Sequence, residues 1–397
     1  MSRLLIACPP WEGHMNPAIG VATVLQSHGH EVAWVVHDTI RHLIGNQQVF
    51  PAGVMPALPA READVRGIAA LRQLWSECLV PLALAMDGSI REAIGHFSPD
   101  VMLIDQQAVG AALRAHQAGI PWLTLASSPG ELATRREHPS IQQWTQDSVA
   151  TVARRLDILS TPDDALFSRF GCVMPSCPAL MGPVPRNLLV RGVGCLVRHR
   201  RSSAASIAPR QQRTHVLVTL GTVSHHATAR VLQAVLQAAR SMGSHLHWTI
   251  IDPDGSLVES HLTHVRITRR VRQIDLLPDV HAVMCHGGHN TVAEAMLFGV
   301  PVIVAPIRDD QPYIAQRVVD AGAGLRIRFA HATAAHIADA VERITSESHF
   351  RQAAQAMGTE LADGEARVGA LLNTWLENPQ RPLERSLSVA VQTALIP

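Results

Sequence analysis

Two kinds of segment alternate along the chain: short runs in which nearly every residue is apolar, and longer stretches in which apolar residues recur every three or four positions. Residues 4–8, 31–36, 101–104 and 121–125 are of the first kind and read as strands. Residues 16–28, with Ile19, Val21, Ala22 and Leu25 available for burial, and 109–118 are of the second kind and read as helices. A strand with one wetted face alternates apolar and polar residues, whereas one that is apolar throughout is covered on both faces. The pattern therefore predicts a parallel sheet between two layers of helix. The same scheme returns later in the chain. Strands are expected over 215–220, 245–251, 265–268, 282–285 and 302–305, and helices over 227–242, from about Asn290, over 334–345 and over 350–376.

Elsewhere the rhythm changes. Residues 55–97 are helical but irregular, and 127–180 are loop-rich with short helices. Insertions of this kind shape a cleft when they sit above the carboxyl ends of strands. Residues 195–214 are dominated by Arg, Ser, Ala and Pro without an apolar period, the composition of a linker. At 397 residues the chain is long for one domain. The expected organisation is α/β in two Rossmann-like parallel-sheet domains: one over 1–200, a linker over 201–213, and a second over 214–378. A tail over 379–397 either packs back on the first domain or stays unstructured. Two such halves place a ligand site in the cleft between them.

Composition narrows function more than fold. A hydrophobic share of 47% is enough to fill two cores, and a net charge of +1 gives no ground for nucleic acid as a partner. All 34 basic side chains are arginine; without lysine there is no Schiff base and no phosphate-loop lysine, which excludes aldolases, pyridoxal-phosphate enzymes and P-loop kinases. The six cysteines are scattered, with only Cys172 and Cys177 close in sequence, so they read as buried thiols in a reducing compartment. The opening residues MSRLLIACPP stop at Pro9 and read as a first strand instead of a signal peptide, and no apolar run reaches the ~20 residues needed to cross a bilayer. The expectation is a cytoplasmic protein without a transmembrane segment, either monomer or homodimer, with peripheral membrane contact left open.

Chemistry concentrates in residues 286–311, HGGHNTVAEAMLFGVPVIVAPIRDDQ. A strand ending at Cys285 runs into a His-Gly-Gly turn that opens onto a helix. Free backbone N–H groups and the positive end of the helix dipole make such a turn an anion site. His286 adds a side-chain donor, and Glu294, one turn into the helix, is placed to meet a ribose hydroxyl. Phosphate, sugar and acid together point to a nucleotide-sugar.

Several motifs in order now resemble one family. His286-Gly287-Gly288, Asn290-Thr291, Glu294, Gly299-Val300-Pro301 and Asp310-Gln311 are similar to the nucleotide-sugar signature of family 1 glycosyltransferases, the UDP-glycosyltransferase-like GT-B enzymes that modify small lipophilic molecules. Gly13-His14-Met15-Asn16-Pro17 resembles that family's GH-x-x-P loop, Leu220-Gly221-Thr222 its F/L-G-S/T turn, and Arg272-Gln273 ahead of Leu276-Leu277-Pro278 its P-Q…L motif. Ala7-Cys8-Pro9-Pro10 and Ile104-Asp105-Gln106 look most like zeaxanthin-type carotenoid glucosyltransferases, with macrolide and aromatic-polyketide enzymes close behind. Two departures stand out. The family often carries an aromatic beside the nucleobase where this chain has Val271-Arg272, and an asparagine where it has Ile314.

The resemblance implies a GT-B fold, two domains facing across a cleft, and a role for each motif. His14 would be the base that takes the proton of an attacking hydroxyl, a task suited to a group titrating near neutral pH. Asp105 would hold its ring in the productive tautomer. His286, the backbone of Gly287 and Gly288, and Thr291 would hold the diphosphate, with the Gly221-Thr222 turn closing from the side and Asn290 as a further donor-binding residue. Glu294 would take ribose hydroxyls, Gln273 with Arg272 the base, and Asp310 and Gln311 the hexose. Pro10, Trp11, Trp75, Leu79, Met86 and Trp144 are the expected wall of an apolar acceptor pocket. The donor would be a UDP- or TDP-sugar; no other cofactor and no metal is required by this scheme. Two rivals stay open: a GT-B sugar-nucleotide epimerase, and a catalytically silent nucleotide-sugar-binding partner protein.

Overall fold

The computed structural model describes residues 1–53, 65, 67–200, 213–221, 225–257 and 262–384. Its first sheet has seven parallel strands: β1 (Arg3–Ala7), β2 (Glu31–Val36), β3 (Gln48–Pro51), β4 (Val101–Asp105), β5 (Trp122–Leu125), β6 (Cys172–Met174) and β7 (Val190–Gly192), in the order β3-β2-β1-β4-β5-β6-β7. Helices α1 (Glu12–Ser27), α2 (Gly67–Gln73), α3 (Val80–Phe97), α4 (Val109–Gln117), α5 (Gly130–Glu137), α6 (Pro139–Arg155) and α7 (Pro178–Met181) connect them, with a π-helical turn over Leu74–Leu79 joining α2 to α3. Successive side chains of a strand point to opposite faces. Accordingly Leu5 and Ala7 pack with Leu82, Met86 and Ile90 of α3, while Leu4 and Ile6 pack with Met15, Val21 and Leu25 of α1.

The second sheet has six parallel strands: β8 (Thr214–Thr219), β9 (Leu246–Ile251), β10 (Val265–Thr268), β11 (Ala282–Cys285), β12 (Val302–Val304) and β13 (Gly324–Arg326), in the order β10-β9-β8-β11-β12-β13. The helices that follow are α8 (His225–Met242), α9 (Gln273–Leu276), α10 (His289–Leu297), α11 (Gln311–Asp320), α12 (Ala334–Ser346), α13 (Ser348–Leu361) and α14 (Gly364–Glu377). Val216 and Val218 face α8 and α12, and Leu217 with Val283 and Val304 faces α10, α11 and α13.

The strand order fixes where ligands can go. In each sheet the chain builds outward on one side and then returns to the other side of the first strand. That reversal leaves a crevice at the carboxyl ends of the two central strands. In the first sheet these are β1 and β4, paired Ala7 to Ile104, so the residues after Ala7 stand beside Asp105. In the second they are β8 and β11, paired Thr219 to Cys285, so Gly221 stands beside His286.

Several elements differ from expectation. The helix expected over 350–376 is two helices, broken at Ala362-Asp363, where Asp363 takes a left-handed φ of 57°. Helix α14 leaves the second sheet there and buries Val368, Leu372 and Trp375 against the first. Gly364 is required at the crossing, since a Cβ there would lie 2.0 Å from the Cys195 carbonyl oxygen. Glu365 then accepts from the backbone N–H groups of Val197 and Arg198, each at 2.8 Å. Leu383, in the tail segment, also packs on the first unit, its N–H donating to the Phe170 carbonyl at 2.7 Å. Helix α6 is longer than the short helices expected for that region. The helical run Gly67–Phe97 is long and apolar enough to span a membrane by length and composition, but Leu82, Met86 and Ile90 lie in the first core. Most of the expected linker, Thr222 and residues 385–397 of the tail lie outside the described residues.

Candidate active site

His14 is expected in a loop ahead of a helix; it stands instead in the first turn of α1, which begins at Glu12. The early start brings the imidazole over the end of β4. Its Nδ1 lies 2.9 Å from Asp105 Oδ2 and 2.8 Å from Ser127 Oγ. A carboxylate only accepts, so the bond to Asp105 places the ring proton on Nδ1 and leaves the Nε2 lone pair free. Asp105 is 2% exposed and is itself held by the Gln107 N–H, which donates to Oδ1 at 2.9 Å. Burial pulls the His14 pKa down, but the Asp105 charge and hydrogen bond, helped by Glu131 and Asp310, outweigh it and leave the pKa raised.

On the facing half, the expected anion turn is built tightly around one ring. Gly221 has φ +78°, and a Cβ there would lie 2.8 Å from His286 Cε1. A Cβ on Gly288 would lie 2.8 Å from His286 Nε2, and one on Gly287, at φ +94°, would meet the Val304 side chain at 2.7 Å. These glycines therefore shape the socket for His286. Burial pushes its pKa down to about 4, so at neutral pH it is an uncharged donor and acceptor. Gly288 caps α10, with Thr291 in the first turn.

The remaining donor-side residues are engaged with one another. Glu294, 3% exposed, accepts from Gln273 Nε2 at 2.8 Å and pairs with Arg200 Nη1. Gln273 Nε2 also lies 3.5 Å from Thr291 Oγ1, and Arg272 donates to the Arg200 carbonyl. Asp310 accepts from Ser128 Oγ across the two halves, and burial raises its pKa. Gln311 opens α11, and its Oε1 accepts from the N–H groups of Ile307 and Arg308 at 2.8 and 3.1 Å, so that half of its amide shapes the loop. Asn290 reaches across to the Gly13 carbonyl at 2.7 Å.

One cleft of about 2590 Å³ joins these groups, lined by Trp11, His14 and Glu131 from the first half and by Gly221, His286 and Thr291 from the second. Of the six expected acceptor residues, Pro10, Trp11 and Trp75 line it. Leu79, Met86 and Trp144 do not. Leu79 and Met86 are 3% and 1% exposed in the first core, and Trp144 packs edge-on against Trp75 at 6.2 Å. A buried methionine there contributes about 2–5 kcal/mol of stability over alanine. The apolar wall is formed instead by residues such as Ile68, Leu71, Leu74 and Ile141.

Sequence reasoning also missed Ser127, Ser128, Glu131 and Arg200. Gln106 Nε2 donates to Glu131 Oε2 at 2.8 Å and to the Ser128 carbonyl at 3.2 Å. Burial raises the Glu131 pKa to about 7, and Asp310 adds to the rise. The available signal was Ser127-Ser128-Pro129-Gly130, a polar turn directly after the apolar strand β5, at the carboxyl edge where ligands bind. Among the described residues, no group of three or more His, Cys, Asp or Glu side chains is arranged to hold a metal ion.

Comparison with known proteins agrees with this fold. Residues 233–366 match the family model "Erythromycin biosynthesis protein CIII-like, C-terminal domain". The chain is 25% identical to 4'-demethylrebeccamycin synthase of Lentzea aerocolonigenes, over 93% of this chain and 98% of that protein. It is likewise 25% identical to the zeaxanthin glucosyltransferase of Pseudescherichia vulneris, over 94% and 97%. Its fold superposes on the glycosyltransferase of kitacinnamycin with a TM-score of 0.77 at 20% identity, covering 94% of this chain and 99% of that one. It also superposes on the spinosyn rhamnosyltransferase SpnG complexed with thymidine diphosphate, with a TM-score of 0.72 at 22% identity, covering 95% and 100%. The chain has the two-domain GT-B fold of these solved glycosyltransferases, and its residues 233–366 match the EryCIII-like C-terminal domain.

Proposed function

We propose that this protein is an inverting glycosyltransferase that moves a hexose from a TDP- or UDP-sugar to a hydroxyl of a lipophilic small molecule. One observation carries the reading: His14, backed by the buried Asp105, and the His286 turn with the α10 N-terminus line the same cleft from opposite halves. In this reading the acceptor hydroxyl gives its proton to His14 Nε2 as its oxygen bonds to the anomeric carbon. The bond from that carbon to the diphosphate breaks on the opposite face, which inverts the configuration. Asp105 stabilises the imidazolium that forms.

The departing diphosphate is negatively charged, and groups preorganised around it lower the barrier most. His286, the backbone of Gly287 and Gly288, Thr291 and the α10 dipole are assigned this task, and the scheme calls on no metal. Glu294 and Gln273 take the nucleoside, with the Arg200 contact giving way to the ribose. Asp310 and Gln311 face the hexose. The first unit, closed by α14, holds the acceptor against Trp11, Trp75, Ile68 and Leu71. Thymidine diphosphate in SpnG, and the acceptor named for zeaxanthin glucosyltransferase, support a TDP donor and an apolar acceptor.

The test is a panel of TDP- and UDP-sugars against lipophilic alcohols and phenols, read by mass spectrometry in buffer with and without EDTA. A hexose adduct formed in both buffers is the expected result. Glu131 and Asp310 both lie close enough to His14 to raise its pKa, and acids are what an epimerase needs, so a donor-only incubation is included. Epimerised sugar-nucleotide without acceptor would replace this reading with the epimerase one.

A further inference from the structure

Asn290 belongs to the motif that resembles the nucleotide-sugar signature, yet its side chain is bonded elsewhere. Its Nδ2 donates to the Gly13 carbonyl across the cleft at 2.7 Å. The acceptor is available for a reason written in the sequence. Pro17 sits inside α1, four residues after Gly13. Proline has no N–H, so the helical bond to the Gly13 carbonyl cannot form, and the ring crowds that carbonyl outward. An unpaired backbone carbonyl at a helix start seeks another donor. Asn290, in the first turn of α10, supplies it. The same first turn of α1 carries His14, the residue next to Gly13.

We propose that Asn290, Gly13 and Pro17 form an interdomain latch that sets the height of His14 over the donor site. Asn290 is then a positioning residue that acts through His14, and Pro17 serves the reaction by keeping a carbonyl free. The two helix N-termini are tied by one directional bond, so the base and the anion turn keep their spacing when the halves close. A second tie across the cleft mouth, Ser128 to Asp310, lies on the hexose loop. His289 Nε2, Tyr313 Oη and Arg317 Nε bond the carbonyls of Pro175, Met181 and Ala179, in the β6–α7 region that leads toward the linker. Gly13 itself meets nothing within 4 Å at its Cβ position, so its own packing does not locate the turn.

The inference rests on the glycosyltransferase reading for its kinetic consequence, though the latch has a readout of its own. The variants are Asn290→Ala, Pro17→Ala, which restores the missing N–H, and the pair combined. Affinity for TDP is measured by calorimetry, kcat at saturating substrates by product formation, and exchange of the amides at residues 12–16 by hydrogen–deuterium mass spectrometry. Each single variant should bind TDP within about twofold of the parent and lose about 5–10-fold in kcat, the worth of one net hydrogen bond. The combined variant should be no slower than Asn290→Ala alone, because both changes break the same bond. Amides 12–16 should exchange faster in Asn290→Ala. TDP affinity that falls about tenfold in Asn290→Ala with kcat retained would make Asn290 a donor ligand and overturn the latch. Losses that multiply in the combined variant, or unchanged exchange in Asn290→Ala, would overturn it too. If the parent transfers no sugar, the broader reading fails, and the exchange data alone decide whether the latch exists.

Discussion

Replacing Asp105 by asparagine keeps the volume of the side chain and removes its charge. In the structure that charge is 2% exposed, anchored by the Gln107 N–H, and 2.9 Å from His14 Nδ1. In the proposed reaction the imidazole becomes cationic as the acceptor attacks, so the attraction to Asp105 is greater in the transition state than before it. Breaking one partner of a buried ionic pair costs about 3–5 kcal/mol, and an asparagine can also turn its NH₂ toward Nδ1 and shift the ring proton to Nε2. Together these predict a loss in kcat of about 10²–10⁴-fold with TDP affinity unchanged.

The pH profile carries a second sign. His14 must be neutral to accept a proton, and its pKa is raised, so activity should fall as pH drops through a value above 6.5. Without the Asp105 charge the downward pull of burial gains ground, and the acid limb should move to lower pH. Initial rates of product formation from about pH 5 to about pH 9, with parent and Asp105→Asn, measure both effects. A kcat within threefold of the parent would refute the orienting role (about 0.7 kcal/mol, too little for a buried ion pair). So would a slow variant whose acid limb had not moved.

Two further outcomes follow from the same geometry. Gly221→Ala places a Cβ 2.8 Å from His286 Cε1 at a φ of +78°, so it should weaken TDP binding by about tenfold or more while the first half of the chain keeps its fold; calorimetry against the parent is the check. Glu131 has its folded pKa raised from 4.5 to about 7, so between those values the native state holds more protons than the unfolded one, and stability falls as pH rises. Glu131→Gln should therefore raise the unfolding free energy above about pH 7 by on the order of 3 kcal/mol and lose that gain toward pH 4, as urea titrations at both pH values would show.

The architecture was legible because parallel strands buried on both faces announce themselves as continuous apolar runs, as at Leu4–Ala7, Val101–Ile104 and Ala282–Cys285. Short strands at or near the sheet edges were not: Gln48–Pro51, Val190–Gly192 and Gly324–Arg326 are three or four residues long and mixed in polarity. The start of α1 was hidden by Gly13 and Pro17, two residues that disfavour helix interiors and that here sit in its first two turns. The break at Asp363 has no proline to mark it, and the apolar period runs through it because α13 and α14 both need a buried stripe, each against a different sheet. The acceptor wall was the least readable part. Leu79 and Met86 are as apolar as Ile68 and Leu71, and only the packing of the Leu74–Leu79 turn and α3 on the first sheet decides which pair is fully buried. By contrast Gly221, Gly287 and Gly288 were found as a motif, and the structure supplies the steric reason: a Cβ at each would strike the His286 ring or the wall behind it.

The central claim is that His14 removes the acceptor proton while the sugar leaves a diphosphate held by the other half. The most direct measurement is the anomeric configuration of the product, read by proton NMR, from parent and His14→Ala supplied with the same TDP-sugar and acceptor. The parent should give an inverted glycoside, and His14→Ala should bind TDP unchanged with transfer reduced by about 10²-fold or more. A product of retained configuration, or the same inverted glycoside formed by His14→Ala at the parent's rate, would contradict it.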